Sequence, residues 1–286
     1  MSWVITGSQK VNWDPSRITT ALWLDAADSS TVQLDSGAVS QWNDKSGNGR
    51  HASQGTAGNR PVYQASAKNG LSAIRFTAAS AHFLTSGTTS TWNFLHNGTA
   101  SSVFIAAKVG NVGDNPNAQL TYLSTGGAGS NNIGYWIAYD DVSSVSRNNG
   151  LGVRVAKAQD GVYASNDNTN DKISPGTYHL ISSYIDADNA TAASRAVQRV
   201  DGSASFGSNV STSPPLSSNS TYALTIGRDS ISATLDFTGD ICEILIFNTQ
   251  PGTTDRQKIE GYLAHKWGLT ANLPSDHPFK TAVPVP

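Results

Sequence analysis

Charge is scarce in this chain. Of its 286 residues only 14% are Asp, Glu, Lys or Arg, and the formal net charge is −2. No broad field draws such a chain to nucleic acid or to an anionic membrane, and neither is expected as a partner. Cysteine is scarcer still. Cys242 stands alone, which excludes an internal disulfide and a zinc site built on thiolates. Its apolar neighbours mark it as a small buried hydrophobe. No run approaches the ~18 apolar residues of a membrane-spanning helix, so no membrane insertion is expected. The opening stretch MSWVITGSQKVNWDPS has neither the basic start nor the apolar run of a secretion signal. The six histidines show no HxH or HExxH spacing, which removes the commonest metalloenzyme signatures.

What fills the space left by charge is Ser, Thr, Asn and Gly, the residues of turns and of neutral hydrogen-bonding surfaces. Hydrophobic residues make up 38%, enough for a large core. From Thr19 onward they fall into short runs separated by turn clusters. Ala21–Leu24, Val39–Trp42, Leu71–Phe76, Ser101–Val109, Thr177–Ile185, Ala223–Gly227 and Gly239–Asn248 have strand length or strand alternation. One segment departs from this. Ile259, Leu263 and Trp267 recur every four residues behind Thr254-Asp255-Arg256-Gln257, which fits a capping box, and ahead of Gly268, a natural C-cap. The spacing predicts one helix over 254–267. Residues 1–18 read as a lead-in arm, 19–270 as one β domain, and 271–286 as an extended, Pro-rich tail.

Several stretches resemble, in order, the laminin-G-like domains of bacteria and phages within the concanavalin A-like lectin/glucanase superfamily. They are LWLDAADSSTV (22–32), VSQWNDKSGNGRHA (39–52), NGLSAIRF (69–76), GDICEILIFN (239–248) and DRQKIEGYLAHKWGLTANLPSDHPF (255–279). The resemblance implies an all-β fold, an antiparallel β-sandwich of the jelly-roll type, with one short C-terminal helix beside it. It also implies a carbohydrate or protein ligand on the concave sheet or its rim loops. A superfold of this kind leaves the role open.

Glycoside hydrolases share the fold class, so carboxylate pairs matter. A retaining enzyme needs two carboxyl groups about 5 Å apart. Asp240 and Glu243 are the nearest candidates, and an offset of three sends them to opposite faces of a regular strand. Glu243 is expected to pair with Arg75 or Arg228, because a lone buried charge is costly. No catalytic residue is assigned, and the chain reads as a non-enzyme. Calcium would take six to eight oxygens. Asp25 with Asp28, Asp140-Asp141 and Asp186-Ala187-Asp188-Asn189 each fall short of a complete local set. They read as turn-formers, and neither a metal nor a cofactor is assigned.

Tyr135-Trp136-Ile137-Ala138-Tyr139 is the candidate ligand contact. Alternation puts Tyr135 and Tyr139 on one face and Trp136 on the other, so one face can offer a sugar an aromatic platform. In the arm, Trp3, Ile5 and Trp13 are candidate anchors for a partner. An exterior-type surface without an export signal predicts a non-catalytic structural or display protein of a bacteriophage virion. The expected forms are a capsid decoration, head fibre or tail-associated jelly roll on the virion surface. Other capsid or tail proteins in a symmetric or homo-oligomeric assembly are its expected partners, with a host glycan as a further ligand. Two other classes stay open: a secreted or cell-surface carbohydrate-binding or adhesion module, and a polysaccharide-degrading enzyme.

Overall fold

The computed structural model describes residues 12–110, 117–126, 132–142, 147–156, 163–166, 172–203, 218–230 and 235–286. Within them the chain is built of sixteen strands and a single α-helix, α1 (Thr253–Lys266). Every strand pairing is antiparallel, and fourteen of the strands hydrogen-bond along one continuous path that folds back on itself, with Leu22–Asp25 and Val32–Asp35 branching off it. A single residue pair, Ala38↔Val62, links β3 (Ala38–Trp42) to β5 (Val62–Lys68) and makes the corner between the two layers. The ends of the path, β12 (Tyr163–Asn166) and β14 (Ala196–Val200), lie against each other, so the sandwich is close to a flattened barrel.

Strand alternation sorts residues between two apolar clusters. In β8 (Ser101–Val109), Val103, Ile105, Ala107 and Val109 point into the core between the layers, while Phe104 and Ala106 point outward. In β16 (Gly239–Phe247), Ile241, Ile244 and Ile246 face in, and Cys242, Leu245 and Phe247 face out. The outer face of this layer is apolar because α1 covers it. Ile259, Leu263, Ala264 and Trp267 bury there beside Phe104, Leu245 and Phe247. Each large side chain so buried contributes about 1.5–3 kcal/mol, which a helix of this length needs, since propensity alone leaves it marginal.

The N-cap of the helix lies two residues before the expected Thr254. Gly252 is the N-cap and no side chain caps it, so Thr254 lies inside the first turn. Its C-terminus follows the sequence. Gly268 sits at φ +62°, and the Leu269 N–H reaches back to the Ala264 carbonyl at 2.7 Å, the Schellman closure that only glycine adopts without strain.

Candidate functional site

Three of the stretches that carry the resemblance, 22–32, 239–248 and 255–279, meet at one buried carboxylate. Glu243 has no solvent exposure. Its Oε1 accepts from the Trp23 indole (2.8 Å) and the Tyr262 hydroxyl (2.9 Å). Its Oε2 accepts from the Trp267 indole (2.8 Å) and the Lys266 ammonium (2.8 Å). All four acceptor sites of the carboxylate are thereby used. Burial pushes this carboxyl group's pKa up, and the Lys266 charge pulls against it. Lys266 also reaches Asp25 (2.7 Å), and Lys45 binds both Asp25 and Asp28 at 2.9 Å. The partner of Glu243 is therefore Lys266, not Arg75 or Arg228. Those arginines bind Asp240 and Asp236, respectively.

The turn at 43–49 is organised by Asp44, whose carboxylate accepts the backbone N–H groups of Trp23, Ser46 and Arg50 at 2.9–3.0 Å. This is a scaffold built from the motif residues, with its polar atoms spent on one another.

The second carboxylate, Asp240, lies at the centre of a row that crosses four strands. In register, Arg75 of β6 (Leu71–Phe76) is opposite Asp240 of β16, Asp240 is opposite Lys108 of β8, and Lys108 is opposite Tyr178 of β13 (Tyr178–Ile185). Neighbours directly across antiparallel strands on one face touch. Arg75 donates through Nε and Nη2 (2.7 and 3.1 Å), Lys108 through Nζ (2.8 Å) and Tyr178 through its hydroxyl (2.7 Å). Burial acts to raise the pKa of Asp240, yet these three donors together hold it below its ordinary value. A cleft of about 310 Å³ opens over one end of the row, between Arg75, Lys108, Thr77 and Thr238. A second cleft, about 320 Å³, lies between residues 16–23 and 45–48. There Lys45 is held by Asp25 and Asp28, and the Asn48 amide is spent on Thr20 and Ala21 carbonyls.

The expected opposition of Asp240 and Glu243 does not hold. A bulge between Ile241 and Glu243 resets the alternation, and both carboxylates project to the outer face. Each is fully buried, the one saturated by Arg75, Lys108 and Tyr178 and the other by Lys266, two indoles and Tyr262. Neither oxygen pair is open to a substrate.

The aromatic platform is likewise corrected. Tyr135, Trp136 and Tyr139 in β10 (Gly134–Val142) are all at 0% exposure. Tyr135 and Tyr139 belong to the inter-layer core. Trp136, on the other face, lies under the Arg154 guanidinium at 4.9 Å and donates its indole N–H to Thr121. A sugar cannot stack on rings that both faces of the strand cover.

Trp3 and Ile5 lie outside the described residues. The Trp13 ring packs on the chain's own body, 4% exposed, edge-on to Tyr262 at 6.1 Å, and the residue's backbone N–H donates to the Pro284 carbonyl. It fastens residues 12–15 and the tail to α1, and is not free to anchor a partner. Among the described residues no three His, Cys, Asp or Glu side chains gather where they could hold a metal. Asp28 caps a 3-10 turn through the Ser30 N–H, and Asp186 closes a turn with Asn189. Asp140 is buried and takes the Gln119 amide.

No protein-family model matches the chain, and no curated protein matches it. Solved structures do share its sandwich. The receptor-binding domain of botulinum neurotoxin type G is 10% identical with a TM-score of 0.56, over 87% of this chain and 52% of that one. The binding domain of paraclostridial mosquitocidal protein 1 is 11% identical with a TM-score of 0.57, over 87% and 52%. The binding domain of botulinum neurotoxin DC, in complex with SialylT, is 11% identical with a TM-score of 0.53, over 86% and 52%. This chain thus spans about half the length of these three structures. At such identity the likeness is one of fold.

Proposed function

We propose that this chain is a non-catalytic binding and display domain whose ligand is a glycan, carried on the outer surface of a bacteriophage virion. The observation that carries the binding part is the cleft over the Arg75–Asp240–Lys108 row, a surface recess where polar donors remain unspent. The sandwich is shared with binding domains, one of them described in complex with SialylT, which supports a saccharide as the ligand class. The sealed carboxylates at 240 and 243 support a role without bond cleavage. The virion setting rests on the resemblance of the sequence stretches to phage laminin-G-like domains and on the uncharged polar composition. Capsid or tail proteins would be its partners there.

A glycan array probed with the full chain tests the ligand class: retention of a defined saccharide set is expected, and silence across a broad array refutes it. For the setting, mass spectrometry of purified phage particles should find the chain at stoichiometric copy number. Its absence from particles would remove the virion reading and leave the binding domain.

A further inference from the structure

We infer that the cleft over the Arg75–Asp240–Lys108 row binds an oxyanion, a carboxylate or sulfate, carried by a saccharide. The saccharide part rests on the glycan reading above; the anion part rests on the row alone.

Charge is the first reason. Asp240 is fully buried beneath two cations, and a third, Lys68, stands nearby. The ammonium groups of Lys108 and Lys68 lie 4.8 and 5.6 Å from the ring of Tyr178. No carboxylate among the described residues pairs with Lys68. Arg75 and Lys108 on Asp240 leave a local excess of one positive charge, with Lys68 adding to the field from beyond Tyr178, in a chain whose net charge is −2. An uncompensated cluster of this kind, walled on one side by protein, concentrates anions.

The kind of polar atom on offer is the second reason. Arg75 is bound to Asp240 side-on, through Nε and Nη2, so Nη1 has no partner among the described residues, and the side chain is 42% exposed. Lys108 spends one bond on Asp240 and keeps a 23% exposed side chain. The Thr77 hydroxyl has no side-chain partner among the described residues, and Thr238 Oγ1 accepts from the Ala78 N–H, which leaves its own proton to give. The cleft therefore presents charged donors from Arg75 and Lys108 beside two threonine hydroxyls that can give or accept, while its one carboxylate sits behind them and is saturated. A neutral sugar ring needs donors and acceptors together, whereas an oxyanion needs donors alone, and charge-assisted bonds from guanidinium and ammonium are the strong ones. A volume of about 310 Å³ is at the small end for ligand pockets and suits one monosaccharide.

The row is also rigid. Gly239 enters β16 at φ +150°, and a Cβ there would stand 2.1 Å from the Lys108 carbonyl oxygen. Only glycine lets the two strands approach closely enough for Asp240 to reach Lys108 and Arg75 together.

Titration calorimetry on the full chain tests this with glucuronate, glucose and inorganic sulfate. Glucuronate and glucose differ only in the carboxylate. Glucuronate should bind, with an affinity that falls as salt rises, and glucose should not. Lys108→Gln should weaken glucuronate roughly tenfold, the loss of one charge-assisted bond at a partly exposed site. Lys68→Gln removes a charge outside the cleft lining, so it should weaken binding less than Lys108→Gln does, with the melting temperature little changed because its one side-chain contact among the described residues is with the Tyr178 ring. Equal binding of glucose and glucuronate, or glucuronate binding that neither variant alters, overturns the inference. If neutral glycans are retained on the array but glucuronate is not, this inference fails and the glycan reading stands. If sulfate binds and no saccharide does, both fail.

Discussion

Glu243→Gln tests the reading of the buried node most severely. The substitution keeps size and shape but replaces one carboxylate oxygen by an NH2 donor. Whichever way the amide turns, that donor meets two others: the Trp23 indole and Tyr262 hydroxyl, or the Trp267 indole and Lys266 ammonium. Breaking one partner out of a buried ion pair costs about 3–5 kcal/mol, and each stranded donor about 1–3 kcal/mol. Lys266 keeps Asp25 at 2.7 Å, which moderates the loss, so about 3–4 kcal/mol is expected, a large share of the ~5–15 kcal/mol that holds a domain folded. Urea unfolding followed by tryptophan fluorescence measures it directly, because two of the seven tryptophans donate to this carboxylate. The midpoint should fall with the slope unchanged. Lys266→Met should be costly alone and less than additive with Glu243→Gln, since the two share one pair. A loss below about 1 kcal/mol for Glu243→Gln would refute the account, because a saturated buried carboxylate cannot be neutralised that cheaply.

Two further outcomes follow from the same contacts. Asp240 has a folded-state pKa below its ordinary value of 3.8. The stability it lends is complete above that value and drains away as pH falls through the lower folded-state pKa. Asp240→Asn should therefore flatten the urea midpoint against pH below 3.8 while lowering it at neutral pH, and an unchanged acid limb would show that the row contributes nothing there. Trp13→Ala should cost about 3 kcal/mol, the low end for a buried tryptophan because the site is at the edge of its cluster. The Trp13 ring lines one cleft with Val283 and Pro284, so its removal should also open the tail at 280–286 to limited proteolysis, although the backbone N–H bond to Pro284 survives. A protein as stable and as resistant as the parent would return Trp13 to the role of a free anchor.

Residues 101–109 and 71–76 read as strands from their own sequence because alternation is local: β8 and β6 have those bounds in the structure. The helix was legible for the same reason, since Ile259, Leu263 and Trp267 mark one face whatever lies against it. Its start was less so. Thr254 offers a capping hydroxyl, yet Gly252 takes the N-cap position in extended backbone with no side-chain cap.

The candidate site was far less legible. Glu243 reads as structural from its apolar neighbours, but its partners lie up to 220 residues away, and no local pattern selects Lys266 over Arg75. The parity of Asp240 and Glu243 could not be read because a bulge is a property of the pairing with β8, not of β16 alone. The Tyr135–Tyr139 stretch divides its aromatics between two strand faces, yet both faces are covered, one by the inter-layer core and the other by Arg154.

Sequence by itself determined the β periodicity, the single helix and the shortage of charge, all of which are written within a few residues of chain. The cross-strand row of Arg75, Asp240, Lys108 and Tyr178 was decided only by the tertiary structure. Its four members come from four strands, and register between distant strands is set by the packing of the whole core.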